Sequence, residues 1–95
     1  MIDFIFLGDS LTFGYGVKPK DNWVHKLSEY LKLNILNKGV NGNTTTDMLF
    51  RFYEDVVSNS PKSLFIMGGT NDLLSNRPVS KIIENMEVMI KEAFA

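Results

Sequence analysis

The chain predicts an α/β fold built on a parallel sheet, and three observations lead there. Two short runs, Phe4–Leu7 and Leu64–Met67, are apolar at every position instead of alternating, as strands are when helices cover both faces of a sheet. Stretches with helical apolar spacing lie between and after these runs. The resulting order of strand, helix, strand, helix, strand, helix implies parallel strands joined by right-handed crossovers.

The first strand ends in Gly8-Asp9-Ser10. Asp21 or Asn22 then caps a helix carrying Trp23, Val24, Leu27, Tyr30 and Leu31 on one face. A weaker strand is expected at residues 33–36, before Asn37. Thr44, Thr45 and Thr46 with Asp47 offer hydroxyl caps and an early acid to a second helix. Its stripe is Met48, Leu49, Phe52, Tyr53, Val56 and Val57, and Pro61 blocks its continuation. The third strand, Leu64–Met67, leads into Gly68-Gly69-Thr70-Asn71-Asp72. After Pro78 a last helix carries Val79, Ile82, Ile83, Met86, Met89, Ile90, Ala93 and Phe94 on one side. Three strands make a narrow sheet, and Leu64–Met67 is too apolar for an exposed edge. The chain therefore reads as the first half of a larger domain.

At 95 residues, the chain holds one domain at most. With 10 basic and 11 acidic side chains, and no cluster of either, it gives no reason to expect nucleic acid. It contains no cysteine, so it offers no disulfide framework and no thiolate metal site. No stretch approaches the roughly 18 apolar residues of a membrane span, and the apolar start is too short for a signal peptide. The expectation is a cytoplasmic protein.

Each strand is followed by a polar, glycine-containing turn, and in a parallel sheet such turns converge on one rim. Ser10 can present a hydroxyl there, which needs a base to become a nucleophile. Gly42 lets a backbone N–H approach a ligand, and Asn71 carries an amide NH2 that can donate to the same oxygen. The structural alternatives are ordinary ones: Ser10 and Asp9 as cap and turn former, Gly42 as a turn glycine, Asn71-Asp72 as an Asx turn. Three such turns at three strand ends favour chemistry over coincidence. No Gly-Lys-Ser/Thr follows the first strand, which argues against a P-loop. Thr12 stands where the second glycine of a nucleophile elbow would be.

These blocks resemble the SGNH hydrolases, also called GDSL esterases and lipases. Gly8-Asp9-Ser10-Leu11-Thr12 looks like the family's first block, the stretch from Asn37 to Thr44 with Gly42 like its second, and Gly68-Gly69-Thr70-Asn71-Asp72 like its third. The resemblance covers nearly the whole chain. It implies a flavodoxin-like three-layer sandwich, present as an N-terminal βαβαβα half, with residues 1–95 the N-terminal part of a single hydrolase domain. It also implies Ser10 as nucleophile and an oxyanion hole of the Ser10 N–H, the Gly42 N–H and the Asn71 side chain. Asp9 and Asp72 would support the turns. Implied substrates are esters, from short acyl esters and thioesters to lysophospholipids and O-acetylated sugars, and no metal or organic cofactor is implied.

The family's Asp-x-x-His block, which supplies the general base and the acid that orients it, has no counterpart in the chain. His25 is a poor substitute, since it sits inside the first helix with Asn22 three residues before it. A missing C-terminal segment, or a second copy of the chain, is expected to cover the open sheet edge. The rival reading is a non-catalytic module that binds a ligand at the rim or dimerises through that edge. Phe13, Tyr15 and Met48 could shape an acyl pocket or simply pack the turns.

Overall fold

The first apolar run is apolar throughout because it occupies the centre of the sheet. In the computed structural model, which describes residues 1–94, β1 (Phe4–Gly8) lies between β2 (Ile35–Gly39) and β3 (Ser63–Met67). All pairings are parallel, with Phe4 opposite Ile35 and Ser63, and Gly8 opposite Gly39 and Met67. The helices are α1 (Ser10–Phe13), α2 (Trp23–Leu31), α3 (Thr45–Phe50), α4 (Phe52–Asp55), α5 (Thr70–Leu74) and α6 (Val79–Phe94). Single 3-10 turns lie at Pro19–Asp21 and Val57–Asn59.

Successive β1 side chains point to opposite faces, and each face has its own layer. Ile5 and Leu7 pack with Met48 of α3, Phe52 of α4, Val56 and Met89 of α6 in one buried cluster. Phe6 faces the other way, where its ring stacks on Phe65 at 4.6 Å and meets Trp23 of α2 at 5.6 Å. The result is helix, sheet, helix: the expected three-layer α/β arrangement.

Several local expectations change. The weaker strand begins at Ile35, two residues later than its first expected position, because Leu33 is used to close α2. Lys32 takes a left-handed φ of 55° and donates to the Glu29 carbonyl, while Leu33 donates to the Ser28 carbonyl at 3.1 Å. This is a Schellman closure, which consumes the residues that would have opened the strand. Asn22, not Asp21, caps α2, accepting from the Val24 N–H at 2.7 Å. Tyr30 and Leu31 lie exposed, since the short helix buries only Val24 fully.

The second helical stripe is cut at Arg51, whose φ of -99° and ψ of 7° separate α3 from α4. Tyr53 turns to solvent while Met48, Phe52 and Val56 keep the core. On α6 the buried positions are Asn85 and Met89, and Val79, Ile83, Ile90 and Phe94 are exposed. Among the described residues β3 pairs only with β1, so the apolar strand expected to be interior forms an edge.

Candidate active site

The three strands end level with one another, so the turns that follow them leave the sheet at one rim. In the first turn Asp9 is buried and caps α1, its carboxylate accepting from the Leu11 N–H at 2.9 Å. Ser10 is the first residue of α1 and half-buried. Neither its Oγ nor its N–H is hydrogen-bonded among the described residues. Gly8 is required just before it, because a Cβ there would press on the Thr12 side chain and lie 2.9 Å from the Met67 carbonyl oxygen.

Side chains from two other elements fix the far end of α1. Trp23 Nε1 donates to the Leu11 carbonyl at 2.9 Å, and Asn37 Nδ2 to the Thr12 carbonyl at 2.8 Å. Asn22, while capping α2, also donates to the Phe13 carbonyl. A four-residue helix is not stable by itself; here three of its last carbonyls are held from outside. Gly39 completes the fit, since a Cβ there would run into the Phe13 backbone.

The second turn spans Val40 to Asn43 and is closed by the Asn43 N–H on the Val40 carbonyl at 3.2 Å. Gly42 takes φ 78° at its third position, the conformation a type II turn demands there. The Gly42 N–H is likewise free among the described residues. Thr44 then opens α3 through a reciprocal capping box with Asp47. The Thr44 N–H donates to the Asp47 carboxylate and holds its pKa below the usual 3.8. Partial burial opposes that shift, while the Thr44 hydroxyl, Arg77 and Arg51 reinforce it.

The third turn is tied to the second twice. Asn71 Nδ2 donates to the Asn43 carbonyl at 2.9 Å, leaving its other N–H for a ligand. Asp72, fully buried, accepts from the Thr45 N–H at 2.8 Å and from the Thr45 hydroxyl at 2.6 Å. That hydroxyl accepts in turn from Asn85 Nδ2 of α6 at 2.9 Å. The polar residue in the middle of the apolar stripe of α6 therefore ends a chain of bonds that begins at the rim.

His25 lies on α2, half-exposed, with Nε2 3.1 Å from Glu29 Oε1. A groove of about 350 Å³ lies beside it, lined by Phe13, Val24, Ile35 and Asn37 among others. A second groove of about 670 Å³ runs along the β3 edge between Val56, Leu64, Ile66, Ile90 and Phe94. Neither is lined by Ser10, Gly42 or Asn71. Among the described residues no group of three His, Cys, Asp or Glu side chains could hold a metal ion.

One residue that organises the rim has no motif to announce it. Arg51 stands within the second apolar stripe, and its spacing to Asp55 signals only a helical ion pair. Its guanidinium makes that pair at 2.7 Å and also reaches the Gly8 carbonyl at 2.8 Å, the Lys38 carbonyl at 2.9 Å and Asn43 Oδ1 at 2.7 Å. These acceptors lie 43, 13 and 8 residues before it, at no helical or strand spacing, so only the folded chain reveals them.

A parallel α/β sandwich whose strand-end turns carry Gly-Asp-Ser, Asn-Gly-Asn-Thr and Gly-Gly-Thr-Asn-Asp defines a class of acyl hydrolases. Residues 6–95 match the GDSL-like Lipase/Acylhydrolase family, and the chain belongs to it. It is 43% identical to the lipoprotein YqeF of Bacillus subtilis (strain 168), over 96% of this chain and 43% of that protein. It is 30% identical to an arylesterase of Vibrio mimicus, over 90% of this chain and 46% of that enzyme. Its fold superposes on a lipolytic protein of the G-D-S-L family from Desulfitobacterium hafniense DCB-2 with a TM-score of 0.92 and 27% identity, covering 98% of this chain and 53% of the other. The chain thus spans less than half the length of these two curated relatives, and its fold is the N-terminal half of the SGNH hydrolase sandwich.

The comparison with YqeF corrects the expectation of a cytoplasmic protein. A relative this similar over nearly the whole chain is a lipoprotein, which points to export or membrane anchoring. The missing cysteines and the lack of an apolar span describe this segment alone. Export is directed by signals that need no trace in the folded half-domain. Among the described residues no helix is long and apolar enough to cross a membrane.

Proposed function

We propose that the protein is a serine ester hydrolase in which Ser10 is the nucleophile. Residues 1–95 form the N-terminal part of its single catalytic domain. Ser10 Oγ attacks the ester carbonyl carbon and passes its proton to a general base. The carbonyl oxygen becomes an oxyanion that accepts from the Ser10 N–H, the Gly42 N–H and the free Asn71 N–H. Collapse of this intermediate expels the alcohol, which takes the proton back, and water releases the acid from the acyl-serine. The base and its orienting acid are supplied from outside these residues, since His25 is engaged with Glu29 on α2. Asp9 and Asp72 hold the first and third turns in place. Esters in the broad sense, short acyl esters, acyl lipids or acylated sugars, are the substrate class, and the protein is exported or membrane-anchored, as its likeness to a lipoprotein suggests.

The observation that carries this reading is the 2.9 Å bond from Asn71 Nδ2 to the Asn43 carbonyl. It sets an amide donor beside the Gly42 turn, at the rim where the Ser10 turn also leaves the sheet. The test is hydrolysis of 4-nitrophenyl acetate together with labelling by a fluorophosphonate. The expected result is labelling of Ser10 and a loss of roughly a thousandfold or more in Ser10→Ala. Turnover that survives the substitution would refute the assignment. The unpaired apolar edge of β3 favours a second reading, a non-catalytic module that dimerises there. That reading predicts neither turnover nor label, and a stable homodimer.

A further inference from the structure

We infer that Arg51 is a positioning residue for this site, setting the Ser10 turn and the Gly42 turn relative to each other. The inference rests on the proposed hydrolase reading for its catalytic consequence, but not for its geometry. Arg51 lies 43 residues from the Gly8 carbonyl it contacts and eight from Asn43. Nη2 donates to the Gly8 oxygen, Nη1 to the Lys38 oxygen, and Nε to Asn43 Oδ1. The carbonyl of Gly8 lies two residues before Ser10, and Asn43 directly follows Gly42. The two backbone donors proposed for the oxyanion therefore sit on segments clamped to one planar group.

The guanidinium is suited to this in a way an ammonium is not. Its five N–H donors point in fixed, coplanar directions, so the angle between its acceptors is fixed as well. Asp55 holds it from behind, accepting from Nη1 at 2.7 Å, with Lys38 Nζ nearby at 4.0 Å. The break between α3 and α4 falls at Arg51 itself, where the backbone leaves helical geometry. Asn43 is gripped on both sides, its side chain by Arg51 and its carbonyl by Asn71. Loss of Arg51 would leave the far end of the Gly42 turn held by Asn71 alone, with only the Val40 N–H on the Gly8 carbonyl at 3.1 Å still tying its near end to the Ser10 turn.

The experiment compares Arg51→Lys and Asn43→Ala with wild type, using Val56→Ala as a destabilised control remote from the rim. Chemical shifts of the Ser10, Gly42 and Asn43 amides and hydrogen exchange of the bonded Val40 and Asn43 amides report the geometry, and kcat and KM for 4-nitrophenyl acetate report its consequence. Both rim variants are expected to shift the Ser10, Gly42 and Asn43 amide resonances and to speed exchange of the hydrogen-bonded Val40 and Asn43 amides roughly tenfold or more beyond any change in the control. They should also lower kcat by roughly 10²-fold with KM little changed, the cost of misplacing catalytic groups by about 1 Å. Arg51→Lys, which keeps the charge but loses the fork, should rescue little. Unchanged Ser10 and Gly42 amides in both variants, or changes equalled by Val56→Ala, would overturn the inference. Absence of Ser10-dependent turnover in wild type would overturn the hydrolase reading instead, and the amide data would still decide the role of Arg51.

Discussion

Gly42 shows how much a single residue carries at this rim. At φ 78° an alanine would be strained even though nothing lies within 4 Å of its Cβ, at a cost of about 1–2 kcal/mol. Gly42→Ala is therefore expected to lower stability by that amount and, under the proposed mechanism, to lower kcat as its N–H turns away. Urea unfolding and ester hydrolysis measure the two effects separately. Asp47 offers a pH-dependent counterpart. The Thr44 N–H holds its carboxyl below the ordinary 3.8 in the folded chain. Its contribution to stability is thus fully present above about pH 4 and is lost as the pH falls through the lower folded value. Asp47→Asn should reduce the drop in urea midpoint between pH 6 and pH 2.5. An unchanged drop would mean that the capping box contributes nothing in solution.

At the scale of elements, α3 is the keystone, because its first turn receives bonds from two other helices. Asp72 of α5 accepts from the N–H and hydroxyl of Thr45, and Asn85 of α6 donates to Thr45 and Thr46. An Asp72→Asn amide would turn its NH2 toward groups that are already donors or already engaged. The expected loss is roughly 1–3 kcal/mol, the cost of leaving buried polar groups unpaired. Thr44→Ala, which removes the N-cap acceptor and the hydroxyl's bond to the exposed Asp47 carboxylate, should cost about 1 kcal/mol. Thermal or urea unfolding orders the two variants, and a larger loss for Thr44→Ala would contradict this account. The second helix became two because the Met48–Val57 stripe records only which side faces the core. The acceptors waiting for Arg51 on β1, on β2 and at Asn43 have no periodicity of their own.

Across the whole molecule, β1 is bonded on both sides and β3 on one. Hydrogen exchange of the 95-residue chain should find its slowest amides in β1, with alternate β3 amides exchanging fast. Uniform protection along β3 would reveal another strand at that edge. The core beneath it is a single cluster, and Phe52 is its largest fully buried side chain. Phe52→Ala should cost about 3–5 kcal/mol, a large share of the roughly 5–15 kcal/mol by which domains are ordinarily stable. The solved lipolytic relative on which this half-sheet superposes is about twice as long as the chain.

The amino-acid sequence by itself determined the fold class, the order of elements and the three turn motifs. Unbroken apolar runs, capping residues and Gly-Asp-Ser are local properties, and local properties can be read along a chain. It also marked Ser10, Gly42, Asn71, Asp9 and Asp72 as candidates, though not which of them touch. Tertiary structure decided that Asn71 reaches the Asn43 carbonyl and that Asp72 holds Thr45. It placed Asn85 under α3, used Leu33 to close a helix, and centred four acceptors on Arg51. Apart from the Leu33 closure and the Arg51–Asp55 pair, which are local, these contacts join groups from different segments, and hydrogen bonds of that kind depend on where the folded backbone sets donor and acceptor. No spacing in the sequence encodes that placement.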